Sequence, residues 1–226
     1  MKLTASRNEK LFMTILALEF SSAQRSVAVA RDGRVLAEAF EAGERGTNAF
    51  GMIEKVLAAA GTGRAEIECL AVGLGPGSYT GIRVALSIGQ GWQLATGVKL
   101  LGIGSVECLA AQAQAEKISG RVNVVIDAQR GEFYLAVYYV SAGGWKELEP
   151  LKIVAAAEVA SRAGEILIGP EAARWFAAGK NLFPQAAMLA TLAARRSDFM
   201  AGEKLEPVYL RETNFVKAPP GRMPVS

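Results

Sequence analysis

Residues 73–83 read Gly-Leu-Gly-Pro-Gly-Ser-Tyr-Thr-Gly-Ile-Arg, between an apolar run at Ile67–Leu74 and a helical pattern at Thr80–Thr96. The glycines predict a tight turn from a buried strand into a helix. Such a loop can also direct backbone N–H groups and hydroxyls at an anion beside the helix N-terminus. The spacing leaves both interpretations open. The candidate anion ligands are Gly75, Gly77, Ser78 and Thr80.

The loop matches neither common phosphate-binding motif. No Gly-Lys-Ser/Thr follows it, as a P-loop requires, and its third glycine is misplaced for the dinucleotide fingerprint. The helix after it is unusual, because each interior glycine costs about 1 kcal/mol relative to alanine. Ala85-x-x-x-Gly89 and Ser87-x-x-x-Gly91 place small residues one turn apart, where another helix could approach closely. Such a neighbour could be internal or a second subunit, with Trp92 as a good anchor.

The elements on either side of the loop alternate regularly. Two copies of a strand-strand-strand-helix-strand-helix unit are typical of ribonuclease-H-like lobes. We predict an α/β fold of two such tandem lobes (the actin-like ATPase, or ASKHA, arrangement) with mixed sheets flanked by helices. The first lobe is predicted at 1–103, with 1–12 as a flexible extension, and the second at 104–226, with a C-terminal tail. Strands are predicted at 15–18, 26–30, 35–40, 67–74, 98–103, 122–127, 132–140, 145–154 and 165–168, and helices at 49–60, 80–96, 155–163, 171–178 and 185–199.

Composition excludes several classes of enzyme. The 226 residues include 25 Lys and Arg, 22 Asp and Glu, and no histidine. The missing histidine excludes Ser-His-Asp and Cys-His catalysis, paired-His zinc sites and imidazole acid–base chemistry. The two cysteines, Cys69 and Cys108, are predicted to be small buried residues of a reducing compartment. The net charge of +3 neither requires nor excludes nucleic acid. We predict no catalytic residue and no metal site.

The start of the sequence superficially resembles a signal peptide. Basic residues precede an apolar run at Leu11–Leu18, but Glu19 and a polar turn follow at once. A first buried strand explains this pattern better. No stretch reaches the roughly 20 apolar residues of a membrane span. We therefore expect a cytoplasmic protein with no membrane contact.

Two further groups have competing interpretations. Asp127 with Glu132 could form a pair of carboxylates, but a hairpin turn in which Asp127 accepts backbone N–H groups is favoured. Arg83 lies one turn into its helix, where it faces either the cleft between the lobes or a phosphate, or else solvent.

Four stretches together resemble one family. Gly75–Arg83 is similar to the Gly-Pro-Gly-Ser-Phe/Tyr-Thr-Gly-Leu/Val/Ile-Arg signature of the TsaB (YeaZ) family. Ile15–Ser22 (ILALEFSS) resembles the family's opening strand, and Ile126–Tyr134 its D-A-x-x-x-E-V/F-Y hairpin. Glu206–Arg211 resembles its closing E-P-x-Y-L-R. The resemblance spans about residues 13 to 220.

The resemblance implies an accessory role in making threonylcarbamoyladenosine beside the tRNA anticodon. In that system TsaD carries the metal and transfers threonylcarbamoyl from its adenylate, and TsaB supports TsaD as a non-catalytic heterodimer partner. The implied partners are a TsaD-type subunit, a TsaE-type ATPase, a second copy when the chain is alone, and tRNA through the complex. No cofactor is implied to be required, although weak ATP or ADP binding at a complex is expected.

The family also implies a contact surface. Its first-lobe helices, here 48–60 and 80–96, pack against the equivalent pair of TsaD or of another TsaB. The residues predicted for this contact are Met52, Ile53, Val56, Ile82, Ala85, Leu86, Gly89 and Trp92.

Two departures from the family pattern bear on function. Glu19 stands where the family and related ATPases have an aspartate, so a nucleotide–metal role at that turn is doubtful. Gly46–Phe50 replaces a His-Ser-Glu opening of the first long helix. The alternative function, an actin-like nucleotide-binding ATPase or kinase, would need that aspartate and a phosphate loop in the second lobe as well. A peptidase is disfavoured because no histidine is present.

Overall fold

Two five-stranded mixed sheets form the computed structural model, which describes residues 13–43 and 48–210. When the five strands of each sheet are counted in chain order, both sheets have the same spatial order: third, second, first, fourth, fifth. In each, the first three strands in the chain are antiparallel neighbours and the last two run parallel to the first. This duplicated topology confirms the predicted two-lobed fold.

The elements follow the predicted order along the chain. The strands are β1 Thr14–Glu19, β2 Gln24–Arg31, β3 Arg34–Ala42, β4 Cys69–Gly73, β5 Lys99–Ile103, β6 Gly120–Asp127, β7 Glu132–Ser141, β8 Gly144–Ala155, β9 Ile166–Gly169 and β10 Gly179–Asn181. The helices are α1 Ala49–Ala60, α2 Tyr79–Thr96, α3 Ser105–Ala115, α4 Ala156–Ala160, α5 Ala172–Trp175 and α6 Ala186–Ala193.

Local signals in the sequence account for several boundaries. The Asn48 side chain accepts the Gly51 N–H at 3.2 Å and begins α1. Gly61, at φ +59°, ends it in the left-handed conformation that suits glycine. The β2–β3 hairpin turns at Asp32 and Gly33, both with positive φ, as the Asp-Gly pair predicts.

Helix α3 is absent from the predicted elements, for a physical reason. Val106 and Leu109 face the core of the second lobe, while Cys108 and Ala111 face the core of the first. A helix that is buried on both sides has no single apolar stripe to reveal it. The predicted helices at 155–163, 171–178 and 185–199 are each shorter in the structure, and the short strand β10 is not predicted.

The C-terminal part of the described chain returns to the first lobe. Helix α6 packs on the face of the first sheet opposite α1 and α2, and its Ala186 N–H donates to Ser26 Oγ at 2.7 Å. Leu205 is buried in the core beneath α2. The prediction that all of 104–226 forms the second lobe is therefore wrong for residues 186–210, whose apolar side chains complete the first lobe.

The first sheet is covered on both faces, which is why β1 is buried along its whole length. Helices α1 and α2 lie side by side over one face. The predicted extension at 1–12 and the C-terminal tail after 210 lie outside the described residues. Within the described ranges, no helix has the length and apolar character needed to cross a membrane.

Candidate functional site

A groove of about 990 Å³ runs between α1 and α2 on the side away from the sheet. Its walls are mainly apolar. Phe50 is 67% exposed and Tyr79 is 61% exposed, although large aromatic side chains are usually much better buried. Ile88, Trp92 and Ala95 continue the lining along α2. A contiguous exposed apolar surface of this kind is typical of a protein–protein interface.

Most of the predicted contact residues lie beneath the groove. Trp92 is partly exposed and lines it, and Ile53, although almost fully buried, contributes to the lining as well. The other six are buried in the core of the first lobe and are not among the residues that line the groove, so their contact with a partner stays a prediction. The periodic apolar stripe marks the face that each helix packs on its own sheet. The six are Met52, Val56, Ile82, Ala85, Leu86 and Gly89.

The two helical glycines have different environments. A Cβ on Gly89 would lie 3.2 Å from Val72 Cγ2 and 3.5 Å from Leu205 Cδ2, so this glycine fits α2 against its own core. A Cβ on Gly91 would meet no atom of the described residues within 4 Å. Gly91 and Ser87 are both exposed and line the groove. The Ser87-x-x-x-Gly91 strip is therefore the one open to another molecule.

Aromatic residues outside the apolar stripe were the missed signal for this surface. Phe50 follows the stripe residue Ala49, and Tyr79 precedes the stripe of α2. Neither is needed to cover the sheet, yet both are large and apolar. Aromatic residues in such positions are enriched at interfaces.

The glycine loop contacts the end of β1 closely. A Cβ on Gly77 would lie 2.0 Å from the Ser21 carbonyl oxygen, and a Cβ on Gly81 would lie 2.0 Å from that of Phe20. The Ser78 N–H donates to the Ser21 oxygen at 2.7 Å, and the Gly81 N–H donates to Ser78 Oγ at 3.3 Å. These contacts favour the tight-turn interpretation, because two N–H groups that an anion would use are already bonded. Anion binding by the loop stays a prediction.

Arg83 connects α2, the helix that follows the glycine loop, to the C-terminal segment that contains Tyr209. Its guanidinium carbon lies 3.4 Å from the ring centroid of Tyr79 and 5.3 Å from that of Tyr209. The two ring centroids are 6.2 Å apart. Two stretches that are remote in sequence thus meet at one end of the groove.

A second cavity, of about 1000 Å³, lies between the lobes and shares Tyr79 and Arg83 with the groove. Its lining is more polar and includes Ser78 and Arg130. Asp127 accepts the backbone N–H of Gln129 at 2.7 Å and the Gln129 side-chain amide at 3.1 Å. This confirms the hairpin-turn interpretation of Asp127. Arg83 is exposed to solvent and also lines this cavity and the groove, so the structure does not exclude either interpretation that the sequence left open.

Comparison with known proteins identifies the family of this chain. The TsaB of Escherichia coli K12, named a tRNA threonylcarbamoyladenosine biosynthesis protein, is 31% identical over 231 residues, which cover 93% of this chain and 100% of that protein. The chain belongs to the TsaB (YeaZ) family. The Bacillus subtilis TsaB is 26% identical over 140 residues, covering 61% of this chain and 60% of that protein.

Two further matches agree with this membership. The structure of YeaZ from Pseudomonas aeruginosa superposes with a TM-score of 0.76 at 27% identity, covering 88% of this chain and 100% of that one. A family model described as TsaD: tRNA N6-adenosine threonylcarbamoyltransferase also matches this chain, over residues 46–210. That range contains both groove helices.

Glu19, the departure from the TsaB pattern on the first strand, is fully buried. Its Oε1 accepts the Ser21 N–H at 2.7 Å, and no described residue bonds to its Oε2. The carboxyl lies against Gly73, where an added Cβ would come within 2.2 Å of Oε2. Burial raises its pKa from 4.5 to about 7. Within the described residues this side chain serves as a packed group at the end of β1 and is absent from the lining of the cleft.

Neither thiol of this TsaB-family chain has the character of a nucleophile. Both are free and buried, as predicted. Burial raises the pKa of Cys69 to about 12 and that of Cys108 well above its usual value. A thiol needs a lowered pKa to react at neutral pH. No cluster of three or more potential metal ligands occurs among residues 13–43 and 48–210.

Proposed function

We propose that the protein is a non-catalytic subunit in the biosynthesis of threonylcarbamoyladenosine in tRNA, and that it binds a TsaD-type transferase through the groove between α1 and α2. Its relatives in Escherichia coli and Bacillus subtilis are named as biosynthesis proteins for this nucleoside. The absence of histidine from the sequence and the raised pKa of both thiols support a role other than catalysis.

The observation that carries the proposal is the exposed strip of small residues in an apolar groove. Gly91 lowers the stability of α2 by about 1 kcal/mol relative to alanine, and nothing in the described chain requires it. Ser87 and Gly91 let another helix approach closely, and Phe50, Tyr79 and Trp92 supply aromatic contacts around them. Interfaces take most of their binding energy from such aromatic anchors.

The choice of partner rests on homology between the two subunits. The TsaD family model covers both groove helices of this chain, so a TsaD-type protein is built on the same plan. Two related chains can pair through equivalent faces about a twofold axis or pseudo-axis. The same argument supports a homodimer when this chain is alone. A TsaE-type ATPase and tRNA then join the pair, and ATP or ADP binds weakly at the complex.

The function is tested by reconstitution. Purified TsaD-type and TsaE-type subunits from the same genome are supplied with threonylcarbamoyl-adenylate, ATP and tRNA, and modified adenosine is measured. The wild-type chain should raise product formation at least about tenfold over the mixture without it. Ser87→Arg, which places a charge in the groove, should abolish the gain. Ala59→Arg is the matched control, since Ala59 is exposed on α1 outside the groove lining.

The alternative ATPase function gives a different result. Steady ATP hydrolysis by the isolated chain, with no effect on tRNA modification, would overturn the proposal. The buried Glu19 argues against that outcome, because a metal-holding carboxylate must reach the bound nucleotide.

A further inference from the structure

Among the residues that the structure describes, Arg83 is the charged side chain of the groove that has no ion-pair partner. Within residues 13–43 and 48–210, three charged side chains line the groove: Glu54, Arg64 and Arg83. Arg64 Nε donates to Glu54 Oε1 at 2.9 Å, so these two compensate each other. No carboxylate among the described residues pairs with Arg83, whose contacts are the two tyrosine rings.

The tyrosines hold the guanidinium in a defined position. Tyr79 lies one turn before Arg83 on α2, with the guanidinium carbon 3.4 Å from its ring centroid, and Tyr209 approaches from the C-terminal segment. Stacking on aromatic faces restrains the long side chain and leaves the N–H groups at the edge of the guanidinium able to donate. A cation fixed before binding loses less conformational entropy when a partner arrives.

We infer that Arg83 is the charged anchor of the groove and pairs with a carboxylate on the docked subunit. This inference rests on the proposed function. A carboxylate can accept two parallel N–H bonds from a guanidinium, and the apolar walls beside it exclude water from the pair. One such charge at the end of an apolar groove fixes the orientation in which the partner binds.

A nucleotide phosphate is the less favoured ligand for Arg83. The Ser78 and Gly81 N–H groups at the start of α2 are already bonded within the chain. A phosphate would therefore lack the backbone donors that usually accompany an arginine at a helix N-terminus.

The test is the dissociation constant of the full-length chain and the TsaD-type subunit, measured by isothermal titration calorimetry. Arg83→Gln should weaken binding at least about tenfold, and Arg83→Glu about a hundredfold, with Arg83→Lys in between. Lys55→Gln removes the same charge from an exposed position of α1 outside the groove lining and should change the constant less than about twofold. A partner carboxylate changed to Lys should restore binding to Arg83→Glu.

The outcomes separate this inference from the proposed function. Ser87→Arg could abolish the complex while Arg83→Gln binds as tightly as Lys55→Gln. The inference that Arg83 anchors the partner would then be wrong, and the proposal that the groove is the docking surface would be supported. If neither variant changes binding, both are wrong. Loss of ADP binding in Arg83→Gln with unchanged partner affinity overturns the inference and assigns the cation to a nucleotide.

Discussion

The guanidinium carbon of Arg83 lies 3.4 Å from the centroid of the Tyr79 ring, and Tyr209 approaches the same guanidinium at 5.3 Å. Tyr79 and Arg83 belong to the glycine-loop motif, and Tyr209 belongs to the closing Glu-Pro-Val-Tyr-Leu motif. The Val208 N–H donates to the Leu74 oxygen at 2.9 Å and holds the two segments together. The motifs that mark the family in sequence thus form one structural unit beside the groove.

The first prediction concerns this contact. Arg83→Leu and Tyr209→Leu should each lower the free energy of unfolding, and a double-mutant cycle should give a coupling of about 0.5–1 kcal/mol, the usual size of an exposed cation–π contact. Urea denaturation of the four proteins measures it. Additive effects within error would show that the rings do not restrain the arginine in solution.

The second prediction separates the two glycines of α2. Gly91→Ala should raise the free energy of unfolding by about 0.5–1 kcal/mol, because the added methyl meets open space and alanine favours the helix. Gly89→Leu should lower it by about 2–3 kcal/mol, because its side chain would enter a filled core beside Val72. Thermal unfolding of both variants measures the difference. A stable Gly89→Leu protein would contradict the assignment of Gly89 to the core.

The third prediction concerns the glycine loop. Gly77→Ala should lower the free energy of unfolding by at least about 3 kcal/mol, since its methyl would lie 2.0 Å from the backbone oxygen of Ser21. Gly144→Ala is the matched control: this glycine has a similar positive φ (+138°, against +147° for Gly77) but no atom of the described residues within 4 Å of an added Cβ, so it should cost only about 1–2 kcal/mol of strain. Equal losses would show that backbone strain, and not the approach to β1, explains Gly77.

The fourth prediction concerns Glu19 and pH. Its folded pKa of about 7 lies above the ordinary value of 4.5, so between these pH values the folded protein holds a proton that the unfolded chain has released. The contribution of Glu19 to the free energy of unfolding is therefore greatest below about pH 4.5. About 3 kcal/mol of it is lost as the pH rises from there through 7.

Urea denaturation at intervals from pH 4.5 to 8 checks this dependence. Glu19→Gln should flatten most of the decline, because the amide does not titrate. The exposed Glu203→Gln serves as the control and should keep the slope of the wild type. The burial of Glu38 raises the pKa of its carboxyl as well, and a smaller decline should persist from that group in Glu19→Gln. An unchanged slope in Glu19→Gln would show that this carboxyl is ionised in the folded protein.

Much of the fold follows from patterns that are local in sequence. The apolar stripe of α1, the Asn48 cap and the Asp32-Gly33 turn each depend on neighbouring residues, and each is found where the sequence predicts it. Helix α3 and the return of residues 186–210 to the first lobe depend on contacts between distant segments. Periodicity carries no information on which of two lobes a buried face will meet.

The groove could be predicted only in part for the same reason. The sequence locates it on the correct pair of helices and singles out Ser87, Gly91 and Trp92. It could not separate the face of α2 that packs on the sheet from the face that is left open, because both contain small and apolar residues. The contact of Tyr209 with Arg83 needs the chain to return across the first lobe, which no local pattern reveals.

The most direct test of the docking groove is light scattering after gel filtration of the chain mixed with the TsaD-type subunit from the same genome. We predict a one-to-one complex for the wild type and for Ala59→Arg, and separate elution of the two subunits for Ser87→Arg. A wild-type chain that elutes apart from the TsaD-type subunit, or a Ser87→Arg chain that binds it as the wild type does, would contradict the assignment of the groove between α1 and α2 as the docking surface.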